Sequence, residues 1–336
     1  MVDIATFGSA SWDVFMRSKN ISAVRSKEFI SEKGICFNLG SKIDIEEIFS
    51  FSGGGGTNTA ATFALQGFKT VFCGMVGNDI PGQQVLEELK KKGIYALVPK
   101  TKEKPTNYSV VIKINTGDER TILVYRGASE LLKKKDIEWE KIREAKWFYL
   151  APLSGNLARI TKDIVGFAHK NGIRISFNPG NSQLSLPKEE LLKIIEKVDV
   201  LILNQEEASI LTGLPYNKEK EIFRKIDDIC PGIAIMTKGP EGLSVSDGKL
   251  LYSTGGTKEK IIDNTGAGDA FGSGFVSGFI RSNGDIEKSI QLGMANSVSC
   301  LKMWGAKEGL LRKGQPFKKA EIKKELCLGE NCKCKI

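Results

Sequence analysis

The chain has 336 residues, 41% of them apolar and 26% charged, and its 49 Lys and Arg against 40 Asp and Glu leave a net charge of +9. No apolar run approaches the ~18 residues a membrane helix needs, and the opening MVDIATFGSA has no basic stretch ahead of an apolar one, so a cytoplasmic protein without membrane contact is expected. The lysines at 90–92, 133–135 and 318–319 are scattered and no aromatic-interleaved basic stripe joins them, so nucleic acid is not an expected partner, although such a field attracts a nucleotide polyphosphate.

In chain order, VDIATFG is a short apolar run ending in Gly and predicts a buried first strand. Residues 11–50 turn to short, part-polar segments that read as small strands exposed on one face. FSGGGGTNTAATFALQG passes from glycines into an Ala-rich helix, TVFCGMVG reads as a strand, and PGQQVLEELKKKGI as a helix with Pro near its start and Gly at its end. NYSVVIKI and RTILVYR form a hairpin-like pair across NTGDE. From residue 146 strands and helices alternate regularly: KWFYLAP, ARITKDIVGFAHKNG, IRISFNP, KEELLKIIEKV, DVLILN, EEASILTG, a helix near 217–229, IAIMTKG, and the hairpin GLSVSDGKLLYSTGG. Two long helices, 267–281 and 285–304, close the domain.

This alternation predicts an α/β protein with a mostly parallel central sheet flanked by helices, its ligand crevice at the carboxyl ends of the strands. The segments that break the rhythm predict a small β-sheet lid. The expected division is a core of 1–10, 50–105 and 126–326, a lid of 11–49 and 106–125, and a polar tail of 327–336. The exposed face of the small sheet suggests a homodimer through the lid.

Seven cysteines are an odd number; Cys36, Cys73, Cys230 and Cys300 lie apart and read as reduced and mostly buried, while Cys327, Cys332 and Cys334 crowd the tail without a fourth metal ligand. The single histidine, His169, falls in an amphipathic helix and reads as a surface residue. Ser-His-Asp and Cys-His schemes therefore have no base, and neither a G-x-S-x-G elbow nor a G-x-x-x-x-G-K-[ST] loop occurs. GAGDAFG fails the dinucleotide fingerprint because Phe271 stands where a small residue is needed.

What remains is DNTGAGDAFGSGF, 263–275, a glycine-rich loop entering a helix. The first four N–H groups of a helix lack intrahelical partners and carry the positive end of its dipole, so Gly266, Ala267, Gly268 and Asp269 offer an anion site. Asp269 then has two readings. A carboxylate beside a phosphate serves as a base taking the proton of an attacking hydroxyl, whereas Asp at any helix start is a common cap or dipole partner.

This stretch resembles the second signature of the PfkB, or ribokinase-like, carbohydrate kinase family, D-[ST]-x-[AG]-[AG]-G-D. GGGGTNTAATFALQG followed by Gly77 resembles the first: Gly53, Gly54, Gly56, Asn58, Ala60, Gly67 and Gly77 all fall in place. NQEE and TKGPEG resemble the family's N-x-x-E and T-x-G-x-x-G. The resemblance covers nearly the whole chain to about residue 312 and implies a ribokinase-like fold and ATP-dependent phosphoryl transfer, with ATP and a sugar or nucleoside as partners. Asp269 would be the base and Gly266, Ala267 and Gly268 the anion hole. Asn204 and Glu207 would order Mg²⁺ and its waters, and Thr237, Gly239, Gly242 and Gly268 would line the nucleotide, with Asn296 near the adenine. Asp263 and Thr265 fall where many relatives bind a monovalent cation such as K⁺. Asp13, Gly54, Gly55 and Asn58 would meet the acceptor, and Gly53 and Gly54 would hinge the lid. Each residue also has a plainer reading: Asn58 as a helix cap, Glu207 as a helix-start acid, the glycines as an ordinary loop. Asn264, Ser11 and Asn178 depart from the family's usual residues. Arg120 and Arg126 sit on the lid hairpin as acceptor contacts or rim charges, and Phe15, Phe37 and Tyr108 are candidates for an aromatic clamp on a nucleoside base.

Overall fold

A computed structural model describes residues 2–27, 32–114 and 120–326; NTGDE at 115–119 and the segment with Cys327, Cys332 and Cys334 lie outside the described residues. The apolar runs become strands buried on both faces. Ile4–Phe7, Thr70–Cys73 and Trp147–Leu150 are buried at every position. Successive side chains point to opposite faces of a sheet. Phe7, Phe148, Leu150, Leu201 and Met236 therefore pack into one apolar layer and Ile4, Tyr149, Val200, Ile202 and Ile235 into the other.

Ten strands share the main sheet, in the order Lys323–Leu326, Leu250–Thr254, Leu243–Ser246, Ile233–Thr237, Val200–Asn204, Arg174–Phe177, Trp147–Leu150, Ile4–Phe7, Thr70–Cys73, Tyr95–Leu97. The last seven run parallel and the first three form an antiparallel meander at one edge. The layer containing Tyr149 is covered by helices Gly55–Leu65, Ala267–Arg281 and Ile286–Leu301. Thr161–Lys170, Lys188–Ile195, Gln205–Thr212 and Glu219–Ile229 cover the other.

A second sheet has the order Arg120–Tyr125, Asn107–Ile114, Ser11–Ser18, Glu47–Gly53, with its two central strands parallel. Its last strand runs to Gly53, past residue 49, where the sequence division returns to the main body. Phe15, Phe49 and Phe51 form an aromatic cluster with Trp304, which follows the final long helix and ties this sheet to the body. Ile48, Leu123 and Val124, on the sheet expected to make the dimer contact, are exposed.

Other expectations change in detail. ARITKDIVGFAHKNG reads as one helix, but the chain breaks at Ile160 between Gly155–Arg159 and Thr161–Lys170. TVFCGMVG splits into Thr70–Cys73 and Val76–Gly77. His169 is exposed; Cys73, Cys230 and Cys300 are buried free thiols and Cys36 an exposed one. No helix among the described residues is long and apolar enough to cross a membrane.

Candidate active site

Between the carboxyl ends of the parallel strands and the small sheet lies a cavity of about 320 Å³, lined in part by Ser9, Asp13, Tyr108, Arg126, Ser154 and Glu207. Two larger cavities, of about 500 and 530 Å³, open at the amino ends of the same strands around Arg174 and Phe279. Ligands of open parallel sheets sit at the carboxyl ends, and neither larger cavity holds a motif residue, so the smaller one is the candidate site.

Asp269 lies behind the wall of this cavity, with Gly55 between it and the lining residue Pro152. Gly266 caps helix Ala267–Arg281 in the left-handed region at φ 76°, and a Cβ there would lie 2.3 Å from that of Ala306, so only glycine makes this entry. No side chain caps the helix, and among the described residues no acceptor faces the amides of Gly268 and Asp269. The Asp269 carboxylate does not cap its own helix. Its Oδ2 accepts a 2.8 Å hydrogen bond from Nδ2 of Asn58, on helix Gly55–Leu65. Burial raises the pKa of Asp269, against which the Asn58 bond and the charge of Lys307 pull down.

Asn58 is 5% exposed, and its Oδ1 is buried without a partner. A buried, unpaired acceptor is costly and points to a ligand donor. The cap reading of Asn58 therefore fails: it lies inside the helix, with Gly54 at the N-cap (φ 93°). Gly55 separates Asp269 from the cavity wall, since a Cβ on it would sit 3.3 Å from Asp269 Oδ1 and 3.4 Å from Cδ of Pro152, a lining residue. Gly54 is not among the residues lining the cavity; a Cβ on it would lie 2.5 Å from the Ser9 carbonyl oxygen, so its missing side chain makes room for that group.

Asp13 is buried, and its Oδ1 accepts hydrogen bonds from Ser11 (2.9 Å) and Ser109 (2.6 Å), leaving Oδ2 for hydroxyl donors. Burial raises its pKa too, opposed by the two serines and by Lys307. A Cβ on Gly53 would lie 1.8 Å from Asp13 Oδ2, so Gly53 is the space this carboxylate occupies.

On the nucleotide side expected from sequence, Asn204 ends strand Val200–Asn204 and Glu207 lies one helical turn on. They form a reciprocal capping box, Asn204 Oδ1 accepting from the Glu207 amide (2.8 Å) and Glu207 Oε2 from the Asn204 amide (2.9 Å). The plainer reading of this pair thus holds locally. Even so, burial pushes the Glu207 carboxyl up to about 7, with Glu206 and Asp269 adding repulsion and no cation among the groups acting on it. Oxygen donors without a counter-charge suit a hard, hydrated cation, so Mg²⁺ fits here through Glu207, with Asn204 beside it. Thr237 ends the neighbouring strand; Gly239, at φ 55° with open space around it, and Gly242, packed against the Thr254 carbonyl, shape the turn that follows.

Asn296 is a correction. It is fully buried, its Nδ2 donates to Ala270 O and Thr62 Oγ1, and its Oδ1 accepts from the Leu311 amide. It braces helices and has no free edge for an adenine.

The pfkB family carbohydrate kinase model matches residues 29–308. The chain belongs to the pfkB family. Among its relatives are the ribokinase of Lactococcus lactis, 28% identical over 92% of this chain and 94% of that one, and the adenosine kinase of Schizosaccharomyces pombe, 28% identical over 81% and 86%. In fold it is similar to Arabidopsis thaliana ribokinase, solved with ribose and ATP, at TM-score 0.73 and 22% identity over 93% and 96% of the two chains.

The K⁺ expected at Asp263 and Thr265 does not fit this pfkB kinase. Asp263 is buried, with Oδ1 accepting from the Thr265 amide and hydroxyl and from Arg120 Nη1 (3.2 Å), and Oδ2 accepting from the Gly305 amide. The carboxylate already holds a cation. Asn178 is not among the residues lining the cavity, and its Nδ2 donates to the Ile202 carbonyl.

Sequence reasoning missed Ser109 and Lys307. Lys307 is 3% exposed, donates to Ser52 Oγ on the small sheet and lies 3.7 Å from Glu88; burial lowers its pKa to about 8. Lysines are almost never fully buried, so nothing in WGAKEGL singles it out. Ser109 was findable only through the register that sets it opposite Asp13.

Proposed function

We propose that this chain is an ATP-dependent kinase that moves the γ-phosphoryl group to a primary hydroxyl of a sugar, with Asp269 as general base. The observation that carries this reading is the Asn58–Asp269 bond. It holds a carboxylate of raised pKa beside the open amides of Gly268 and Asp269, one glycine behind the wall of a cavity furnished for hydroxyl groups.

Asp13 Oδ2 and Asn58 Oδ1 accept hydrogen bonds from acceptor hydroxyls and turn one of them towards Asp269. Asp269 takes its proton as the hydroxyl oxygen bonds to the γ-phosphorus and the bond to the β–γ bridging oxygen breaks, releasing ADP. The first-turn amides stabilise charge on the transferring oxygens. Glu207, with Asn204 beside it, would hold Mg²⁺, which would supply charge neutralisation for the nucleotide's phosphates. The small sheet, as a lid, excludes water, so that the sugar rather than water receives the phosphoryl group.

A nucleoside acceptor is the second reading, favoured by Tyr108 and Tyr125. They are direct cross-strand partners, both line the cavity and together offer ring faces to a base. Phe15 is not part of such a clamp, being buried against Phe51 and Trp304.

The test is a coupled ADP-release assay with Mg²⁺-ATP over pentoses, hexoses and nucleosides. ADP release that depends on a sugar supports the first reading, and release with nucleosides alone supports the second. ATP hydrolysis equally fast without any acceptor contradicts both.

A further inference from the structure

The loop that leads into the anion-site helix is gripped by two cations from the small sheet. Arg120 opens strand Arg120–Tyr125, and its Nη1 lies 3.2 Å from Asp263 Oδ1 and 3.5 Å from Thr265 Oγ1. Lys113, at the end of the neighbouring strand, donates a 2.6 Å hydrogen bond to the Ile262 carbonyl and sits 5.3 Å above the Trp304 ring. Lys113 and Arg120 face each other directly in the strand register. Like charges so placed repel, and this pair is tolerable because each head group reaches oxygens of the 262–265 loop.

Those oxygens are a carbonyl, a carboxylate and a hydroxyl, the hard donors an alkali cation prefers. Here protein N–H groups already hold all three. Asp263 is 4% exposed, and a carboxylate so buried needs a counter-charge; a guanidinium stays charged at any working pH. One residue beyond the loop, Gly266 begins the first turn whose amides face the candidate site.

We propose that Arg120, supported by Lys113, is a built-in replacement for a diffusible monovalent cation, so that the loop entering the anion site is held in shape without K⁺. Because both cations belong to the small sheet, the shape of the loop depends on that sheet being docked. This rests on the kinase reading for its effect on turnover, but not for its effect on the fold.

The experiment compares wild type with Arg120→Ala and Arg120→Gln, the latter keeping donors without charge, in potassium or tetramethylammonium chloride at equal concentration. Acceptor-dependent ADP release and the thermal denaturation midpoint are both read. Wild type is expected to differ less than about twofold in rate between the salts and to show the same midpoint in both. Both variants are expected to lose about tenfold or more in rate and to melt at a lower temperature. A wild-type rate rising about tenfold with K⁺, a K⁺-specific rise in the wild-type midpoint, or a variant matching wild type in rate and midpoint would overturn the proposal. Should either variant fail to fold, the wild-type salt comparison decides. If no acceptor releases ADP in either salt, the kinase reading fails, and the denaturation measurements still decide the cation claim.

Discussion

Two glycine-led helix starts meet at the site, and they do different work. At Gly55–Leu65 the small residues serve packing: the Gly56 amide donates to the Ser9 carbonyl, those of Thr57 and Asn58 bond back to the Gly54 carbonyl, and Gly56 is wedged against Gly8 and Phe72. At Ala267–Arg281 they serve access: Gly268 is exposed, and a Cβ on it would meet no atom within 4 Å. One start is closed by protein and the other left open to a ligand. The difference teaches that a glycine-rich loop entering a helix is a chemical site only where its amides and the space before them remain unclaimed.

The sharpest way to break this contrast is at Asp269, the residue the open start presents. Asp269→Asn keeps the shape and the Asn58 contact but removes the proton acceptor. Acceptor-dependent turnover should fall by about 10²–10⁴-fold while the denaturation midpoint holds or rises, because burial disfavours the charged carboxylate. Retained turnover with lost stability would instead mean that the carboxylate only supports its helix.

A matched pair then separates the two starts. Gly268→Ala should leave the midpoint unchanged or slightly higher, since the site is open and Ala favours a helix, yet lower turnover on the order of 10²-fold by displacing the phosphoryl group. Gly56→Ala should do the reverse. Its Cβ would lie 2.6 Å from Phe72 Cε2 and 2.7 Å from Gly8 Cα, an overpacking that costs about 1–3 kcal/mol in denaturant unfolding, with turnover altered far less. Equal effects of the two substitutions on stability would erase the distinction.

Much of this was legible in the residues. Strands buried on both faces read as apolar runs, and the breaks in the β–α rhythm at 11–50 and 106–125 marked the second sheet, because local pattern encodes those features. The motif glycines and Asp269 could be picked out as a pattern because their spacing is local; their chemical roles belong to the proposed function. Lys307, Ser109 and the Arg120–Asp263 pair were not legible, since each depends on residues far apart in the chain meeting through sheet register or helix docking. Asn296 misled for a related reason: its amide satisfies three groups from three distant segments, and no local pattern announces that. The strand Lys323–Leu326 escaped because its four residues are all exposed, and an edge strand with no buried face leaves no periodicity to read.

The smallest expected effect concerns Glu207, where a closed structural role and an open chemical one share a side chain. Its capping-box bond favours the charged form, but burial and the nearby acids outweigh it and raise the pKa from 4.5 to about 7. A group whose folded pKa exceeds its unfolded one binds protons more tightly in the native state, so its contribution to stability is full below about 4.5 and is lost as pH rises through about 7. Glu207→Gln cannot titrate. Its midpoint, followed across that window in the absence of divalent ions, should change less with pH than that of wild type, and the two curves should diverge most above pH 7. Mg²⁺ should narrow the gap by favouring the ionised carboxylate of wild type. Parallel curves for the two proteins, with and without Mg²⁺, would mean that Glu207 is a helix cap and nothing more.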